Sequence, residues 1–361
     1  MHICVIPGDG IGGEVIPAAL AVLRATGLPI ELTEAEAGWQ CFQRHGTSLP
    51  DATLAAARAA DAILFGAVAS PSHPVPGYRS PIVTLRRALD LYANIRPVLG
   101  QTTDQRRAIG ATANASAAQA LPIDLVVVRE NTEGLYAGRE RVEDAGDTAI
   151  AERVITRHAS ERIVRMAFEL ARRRAAANGA ANNQFPQVTI VHKANVLRET
   201  CGLFRRVALE VAQQYPEISH NELLVDNCAL QLVQRPEQFN VIVTTNLFGD
   251  ILSDVACYWG GGLGIATSAN LGQRQALFEP VHGAAPDIAG QGSANPLAAI
   301  GCVALLLDWL GQQSNGSPEL PSWATRINNA IALVLAEGPH TPDLGGSATT
   351  DQVVRAVIAA L

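Results

Sequence analysis

The sequence has 361 residues, of which 48% are hydrophobic and 17% charged, and its formal net charge is −7. This length allows two domains or one large domain with a sizeable apolar core. The acidic balance argues against a nucleic-acid binder. The apolar run near 300–311 carries Asp308 and is too short for a membrane span. Six cysteines without CxxC or metal-ligand spacing indicate reduced, mostly buried thiols in a cytoplasmic protein.

Short apolar runs alternate with longer helical patterns along the chain. Six runs predict buried strands, at 2–7, 62–68, 125–130, 188–193, 223–226 and 241–246. Helical periodicity covers 14–26, 49–60, 159–177 and 203–215, and a late helical pair falls within 295–336, before a C-terminal helix. The alternation predicts an α/β protein with a mainly parallel sheet covered by helices. The polar, weakly periodic segments 100–122 and 137–150 predict a connection and a protruding arm.

The first predicted strand leads into PGDGIGG (7–13), which satisfies G-x-G-x-x-G at Gly8, Gly10 and Gly13. A dinucleotide-binding turn also needs an acidic residue at the end of the second strand. Here three glutamates compete for that role: Glu31, Glu34 and Glu36. A plain glycine turn between a strand and a helix is an equally good interpretation.

Residues 80–97 begin with Ser-Pro, a pair that suits the N-cap and first position of a helix. The open start of such a helix attracts carboxylates. Three arginines at the ends of predicted elements are candidates for bidentate carboxylate binding: Arg86, Arg96 and Arg129. Tyr136 follows them. A tyrosine near arginines is expected to have a lowered pKa and to exchange a proton, although packing is its commoner role.

Two aspartates in NLFGDILSD, Asp250 and Asp254, are four residues apart and therefore share one face of a helix. Carboxylate oxygens at this spacing suit Mg²⁺ or Mn²⁺. The alternative is a solvated acidic face, but the flanking residues are apolar and no basic residue is close in sequence. Asp226, at the end of a predicted strand, is a third possible metal ligand.

Lys193, in TIVHKANV, is the one lysine of the chain; all its other basic side chains apart from histidine are arginines. Unlike arginine, lysine can lose its proton near neutral pH when burial or neighbouring cations shift its pKa. It is therefore a candidate proton carrier or Schiff-base nucleophile. The alternative is a coding bias toward arginine.

The segment FEPVHGAAPDIAGQGSANP (278–296) is too rich in Gly, Ala and Pro for a helix, and it carries His282, Asp287 and Asn295. An acidic residue in such a loop can accept hydrogen bonds from both ribose hydroxyls of an adenosine and repel a 2′-phosphate. The loop therefore favours NAD over NADP.

In combination, these motifs resemble the β-decarboxylating dehydrogenases, the family of isocitrate, 3-isopropylmalate, homoisocitrate and tartrate dehydrogenases. The resemblance covers nearly the whole chain and rests on PGDGIG, LRRALDLYANIRP, RENTEGLY, HKANVL, VDNCALQLV, TTNLFGDILSD, EPVHGAAPDIAG and ANP. It implies a non-Rossmann fold with two α/β domains. We expect one to contain residues 1–99 plus 261–361, and the other residues 100–260, with dimer contacts and the arm.

The resemblance also implies a role for each candidate residue. Mg²⁺ or Mn²⁺ would lie between Asp250 and Asp254 of one subunit and Asp226 of the partner subunit. Lys193 would help to remove the hydroxyl proton, and Tyr136 would protonate the enolate carbon. The substrate, a 2-hydroxy di- or tricarboxylic acid, would contact Arg79, Ser80, Val83, Arg86, Arg96, Arg129 and Asn195. NAD would contact Ile11, Glu279, His282, Gly283, Ala284, Asp287, Ile288 and Asn295. A homodimer or dimer of dimers with a shared active site follows, and a monomer should be inactive.

The start of the SPIVTLRR helix is where family members differ in substrate. Isopropylmalate enzymes carry a glutamate where this chain has Arg79, and isocitrate enzymes carry an asparagine where it has Ile82. The stretch GYRSPIVTLRR resembles homoisocitrate dehydrogenases, although some of these carry an arginine in place of Val83. We therefore rank homoisocitrate first, isocitrate second and isopropylmalate third.

Two functions of other classes are the alternatives. A non-catalytic regulatory subunit should lack part of the metal–lysine–tyrosine set, which is complete here. A Schiff-base lyase built on Lys193 would not need the paired aspartates.

Overall fold

The computed structural model describes residues 1–73, 75–100, 123–178, 186–313 and 316–361, so the predicted connection 100–122 lies almost wholly outside the described residues. The described chain divides into two compact units. The first contains Met1–Leu91 and Gly260–Leu361, and the second contains Tyr92–Gly100 and the described part of Ala120–Trp259.

The first unit has five strands in the order β2-β1-β3-β12-β11. These are β1 (His2–Gly8), β2 (Glu31–Glu34), β3 (Ala62–Ala67), β11 (Thr267–Leu271) and β12 (Ala276–Pro280). The β11–β12 pair is antiparallel and the other pairs are parallel. The helices of the unit are α1 (Gly12–Ala25), α2 (Trp39–His45), α3 (Asp51–Ala59), α4 (Pro81–Ala88), α9 (Leu297–Gly311), α10 (Glu319–Glu337) and α11 (Thr350–Ala359). Strands β1 and β3 are buried on both faces, which explains their continuous apolar sequences.

The second unit has its own five strands in the order β4-β5-β10-β8-β9. These are β4 (Ala93–Leu99), β5 (Asp124–Glu130), β8 (Gln187–His192), β9 (Ser219–Leu224) and β10 (Val241–Thr244). The β4–β5 pair is antiparallel and the others are parallel. The helices are α5 (Arg157–Asn178), α6 (Thr200–Ala212), α7 (Val225–Gln234) and α8 (Asn246–Gly260). An antiparallel ribbon of β6 (Glu140–Glu143) and β7 (Thr148–Ala151) occupies the segment predicted as an arm.

The predicted α/β class with a mixed, mostly parallel sheet is confirmed, and each of the six predicted strands is present. The prediction that Asp226 ends a strand is wrong. Pairing between β8 and β9 ends at Leu224, and the chain turns directly into α7. Asp226 lies in the first turn of that helix, where a carboxylate interacts favourably with the helix dipole.

The six cysteines are buried and unpaired, as expected. Among the helices of the described residues, none has both the length and the apolar character needed to cross a membrane.

The glycine turn after β1 is set by close backbone packing. Gly10 has a φ of +56°, and a Cβ there would lie 2.0 Å from the carbonyl oxygen of Ala284. A Cβ at Gly12 would lie 2.0 Å from the carbonyl oxygen of Pro7, whereas nothing lies within 4 Å of a Cβ at Gly13. Packing of the turn therefore requires the glycine at position 12 but not the third glycine of the G-x-G-x-x-G pattern.

We predict opposite effects for alanine at two adjacent glycines. Gly12→Ala should lower the free energy of unfolding by about 1–3 kcal/mol or more, because its Cβ meets rigid backbone. Gly13→Ala should raise it by up to about 1 kcal/mol, because position 13 is exposed and helical. Urea unfolding of the two variants checks this. A Gly13→Ala variant as unstable as Gly12→Ala would contradict the account.

Candidate active site

The carboxylate of Asp250 is the point where the functional side chains of the second unit meet. Its Oδ1 accepts hydrogen bonds from Arg129 and, at 3.2 Å, from Arg96. Its Oδ2 accepts the hydroxyl proton of Tyr136 at 2.6 Å. Arg96 comes from β4, Arg129 from the end of β5 and Tyr136 from the turn beyond it. The structure thus brings together four residues that the sequence predicted separately.

Helix α8 places the second aspartate beside the first. Leu252 and Ala256 of α8 belong to the apolar core of the unit, which leaves Asp250 and Asp254 on another face. Asp254 accepts a hydrogen bond from Arg96 at 3.2 Å. Burial raises the pKa of Asp254, Arg96 lowers it and the neighbouring Asp250 raises it again. The basic partners that are missing near these aspartates in sequence are therefore supplied by distant strands.

Both arginines are buried and held by side chains that the sequence analysis missed. Arg129 is 1% exposed, and its Nε and Nη2 donate to Asn246 Oδ1 at 3.0 and 2.8 Å. Arg96 donates to Asn94 Oδ1 at 2.8 Å and to Ser253 Oγ at 2.7 Å. Periodicity could have found these partners, because Asn94 is two residues from Arg96 on a strand and Asn246 is one helical turn from Asp250.

The expected lowering of the Tyr136 pKa is wrong. Burial of the phenol is the largest effect and raises the pKa, and the hydrogen bond to Asp250 raises it further. Arg129, whose guanidinium lies 5.1 Å from the ring centroid, lowers the pKa but does not outweigh these effects. Tyr136 is therefore protonated at neutral pH, the state required of a proton donor.

Lys193 and Asp226 form a separate pair in the second unit. Lys193 Nζ donates to Asp226 Oδ1 at 2.5 Å, and this hydrogen bond is the main cause that lowers the pKa of Asp226. Asn195 is exposed near this pair in sequence. Among the described residues of one chain, Asp226, Asp250 and Asp254 do not form a group with carboxylate oxygens within 4.8 Å of one another.

In the first unit, Arg86 is fixed by an acidic partner. Its Nη2 donates to Glu279 Oε1 at 2.9 Å, and Asn270 donates to the same oxygen at 2.8 Å. Glu279, expected to contact NAD, lies in β12 and holds Arg86. The Nε of Arg86 is buried and makes no hydrogen bond to another described residue, so it is a donor available to a ligand.

The start of α4 agrees only in part with the sequence prediction. Pro81 is the first helical residue, but the hydroxyl of Ser80 makes no capping hydrogen bond. Ser80 thus takes the expected N-cap position without the expected side-chain bond, and Ser48 holds the preceding residue by donating to the Arg79 carbonyl at 2.5 Å. Arg79 is exposed and Val83 half-buried, one turn before Arg86. Ile82 instead packs against the apolar core of the unit.

The segment 278–296, called the late loop from here on, contacts the glycine turn in the first unit. The backbone amide of Ile11 donates to the carbonyl of Ala284 at 2.8 Å. His282 Nδ1 lies 3.0 Å from the Gly283 carbonyl, while its Nε2 is buried without a partner among the described residues. Burial lowers the pKa of His282, so the ring is neutral at pH 7. Asp287 is exposed and Ile288 half-buried on the same loop.

Asn295 ends the loop with a structural role that the sequence did not indicate. Its amide donates to Asp343 at 2.9 Å, and its oxygen accepts from the amide of Leu297 at the start of α9 at 3.0 Å. Asp343 lies in PDLGG, near the C-terminus, and its distance in sequence hid this contact.

Comparison with known proteins defines the class. The family model described as isocitrate/isopropylmalate dehydrogenase matches residues 2–357, so the chain belongs to this family of NAD-dependent decarboxylating dehydrogenases. It is 51% identical to an isocitrate/homoisocitrate dehydrogenase of Thermus thermophilus, over 100% of this chain and 98% of the relative. It is 49% identical to a homoisocitrate dehydrogenase of Methanocaldococcus jannaschii, over 98% and 95%. The crystal structure of isocitrate dehydrogenase from Methylococcus capsulatus superposes with a TM-score of 0.87 at 42% identity, covering 99% and 98% of the chains.

Removing the acceptor of Arg129 should destabilise the protein. Asn246→Ala removes the oxygen that accepts from two buried guanidinium N–H groups, and we expect a loss of about 2–3 kcal/mol in unfolding free energy. Asn329→Ala, at an exposed position of α10, is the control and should change it by less than about 0.5 kcal/mol. Equal effects of the two substitutions in urea unfolding would contradict the assigned role of Asn246.

Proposed function

We propose that this protein oxidises and decarboxylates homoisocitrate to 2-oxoadipate with NAD. The observation that carries the proposal is the convergence of Arg96, Arg129 and Tyr136 on Asp250, next to Asp254. This arrangement joins carboxylate-binding cations, hard oxygen ligands and a protonated phenol in one unit. These are the groups that oxidation of a 2-hydroxy acid followed by loss of its 3-carboxylate requires.

The acidic residues fit Mg²⁺ or Mn²⁺. Asp250 and Asp254 offer hard carboxylate oxygens on one helix face, and their charges are offset here by the two arginines. We propose that they hold the cation together with Asp226 of the partner subunit. When bound, the cation would polarise the substrate oxygens and stabilise negative charge on them.

The chain's own residues would then move the protons. Lys193 would help to take the proton from the substrate hydroxyl while the hydride at C2 leaves for NAD. The resulting 3-carboxy-2-keto acid loses CO₂ by cleavage of the bond to C3. Tyr136 would donate its proton to C3; burial raises the pKa of its hydroxyl, so the phenol carries this proton at neutral pH.

Homoisocitrate is favoured by the start of α4. Arg79 is exposed, the Ser80 hydroxyl is not used for capping, and both can meet a distal carboxylate. Ile82 is partly buried against the apolar core of the unit, and the next residue, Val83, is also partly buried. These two side chains would tolerate an alkyl group, but the polar residues before them favour a carboxylate, so we rank isocitrate second and isopropylmalate third.

NAD is favoured over NADP because Asp287 is exposed on the late loop, where a carboxylate would accept ribose hydroxyls and repel a 2′-phosphate. His282, Gly283, Ala284, Ile288 and Asn295 would complete the contacts with Ile11 and Glu279.

We also propose a homodimer with shared active sites. Lys193 and Asp226 pair with each other, and among the described residues of one chain Asp226 does not group with Asp250 and Asp254 within 4.8 Å. Helices α7 and α8 carry large apolar side chains that are about half or more exposed: Leu230, Val233, Ile251 and Tyr258. Such a surface suits a subunit interface that would bring the partner subunit's Lys193 and the partner subunit's Asp226 to this site.

The test is NADH formation with Mg²⁺ on homoisocitrate, isocitrate, 3-isopropylmalate, D-malate and tartrate, compared by kcat/KM. The proposal expects the highest value for homoisocitrate. A preference for isopropylmalate would mean that Val83 outweighs Arg79. No turnover of any substrate with NAD or NADP would refute the catalytic assignment and favour a regulatory subunit.

Tyr136→Phe should keep the fold and lose the proton donor. The ring and its contact with Arg129 remain, and the hydrogen bond to Asp250 disappears. We expect the rate of decarboxylation with protonation to fall by about 10²-fold or more. Tyr215→Phe is the matched control, because it also removes a phenol hydrogen bond to a carboxylate, here Glu169 at 2.9 Å, and it should leave the rate unchanged. Full activity of Tyr136→Phe would contradict the assigned role.

Arg79→Ala should change substrate choice. We expect kcat/KM for homoisocitrate to fall roughly tenfold through loss of one charge-assisted contact, with little change for isopropylmalate. Arg58→Ala, also exposed, is the matched control. Equal losses on both substrates would show that Arg79 does not bind the distal carboxylate.

A further inference from the structure

A cluster of three metal-ligating side chains lies in the first unit, apart from the residues assigned above. Glu36, Cys41 and His45 each offer one ligand atom, and these atoms lie within 4.8 Å of one another. Cys41 and His45 are four residues apart on α2, so they share one face of the helix. Glu36 precedes the helix and approaches His45, with its Oε2 3.5 Å from His45 Nε2.

The three kinds of donor atom favour some metal ions over others. A thiolate, an imidazole and a carboxylate together are typical of Zn²⁺, whereas Mg²⁺ prefers oxygen ligands alone. Bond lengths of about 2.0–2.3 Å in a tetrahedral site place neighbouring ligand atoms roughly 3.3–3.6 Å apart. The Glu36–His45 separation of 3.5 Å already meets this requirement, and small side-chain rotations would bring in Cys41.

We propose that Glu36, Cys41 and His45 form a second metal site, specific for Zn²⁺ or a similar borderline-soft divalent cation, and separate from the Mg²⁺ site.

Access to the site is open on one side. Cys41 is 1% exposed, whereas the side chains of Glu36 and His45 are 56% and 52% exposed. A cavity of about 380 Å³ borders Glu36 and Cys41. A cation can therefore enter from solvent, with water as its fourth ligand.

Two charges act on the cluster before a cation binds. Arg44 donates to Glu36 Oε2 at 3.2 Å and holds this carboxylate at the cluster. Because the Arg44 side chain is exposed, it can move away when a metal cation binds Glu36. Burial is the main effect that raises the pKa of Cys41, and the Glu36 carboxylate raises it further. The thiol is therefore protonated without a cation, and a bound cation would displace this proton.

The site is connected to the loops of the first unit. The amides of Trp39 and Gln40, at the start of α2, donate to the buried carboxylate of Asp9 at 2.7 and 2.9 Å. Asp9 lies in the glycine turn, next to Gly10, whose backbone packs against the carbonyl of Ala284. On its other side, Trp39 lies 5.3 Å from the ring of Tyr78, next to Arg79. Trp39 is thus a built-in fluorescent reporter of a cation on α2.

The test is Co²⁺ titration of the purified protein with excess Mg²⁺ present. A thiolate ligand produces a near-ultraviolet charge-transfer absorption of Co²⁺ that carboxylates at the Mg²⁺ site cannot produce. We expect this absorption in the wild type, its displacement by Zn²⁺, and an accompanying change in tryptophan fluorescence. Cys41→Ser should abolish it, and His45→Ala should weaken Co²⁺ binding at least tenfold. His158→Ala, at an exposed position of α5, should leave it unchanged.

Either of two results would overturn the proposal: no thiolate absorption in the wild type, or the same absorption in Cys41→Ser. If Cys41→Ser does not fold, His45→Ala and Glu36→Gln decide the question, since both residues are exposed. Unweakened Co²⁺ binding by these two variants would also refute the site. The result is independent of which substrate the enzyme uses, because the readout needs no turnover.

Discussion

The second unit depends on the burial of the Arg129 guanidinium. A charge that is 1% exposed is strongly unfavourable unless it is paired and fully hydrogen-bonded. Asn246 and Asp250 supply the partners, and both lie on α8 one turn apart. Gly249, between them, allows the close approach, since a Cβ there would lie 2.6 Å from Arg129 Cβ. The pairing therefore fixes α8 against the end of β5, and the candidate metal ligands with it.

The same principle orders the first unit. Arg86 is buried and paired with Glu279, which Asn270 also holds. The position of the late loop is determined differently, by the close packing of Gly10 against the backbone of Ala284. The first unit thus supplies one buried arginine in a fixed position, Arg86, and the second unit supplies two, Arg96 and Arg129. Preorganised cations of this kind bind carboxylates without a further cost of ordering their side chains.

Much of this was predictable from sequence, because some signals are local. Strands buried on both faces are continuous apolar runs, as in β1 and β5, and aspartates four apart share a helix face. Polar edge strands carry no such signal, so β2 was missed and the start of β9 was placed too late. The family motifs identified the site residues, but not what each one contacts.

The features of the site that the sequence could not predict depend on contacts between residues far apart in the chain. Arg129 and Asp250 are 121 positions apart, and no periodicity joins them. The direction of the Tyr136 pKa shift depended on burial, which outweighs the nearby arginine. In each case the residue type was correctly noted and its environment was not.

We propose that Asp250 of one subunit works with Lys193 of the partner subunit. Subunit complementation between Lys193→Ala and Asp250→Asn tests it most directly. Each variant alone should be almost inactive. Co-expressed, half of the dimers should be mixed, each with one intact site, so activity should return to roughly a quarter of the wild-type value. If the mixed dimers form and no activity returns, the site is not shared between subunits and the account is wrong.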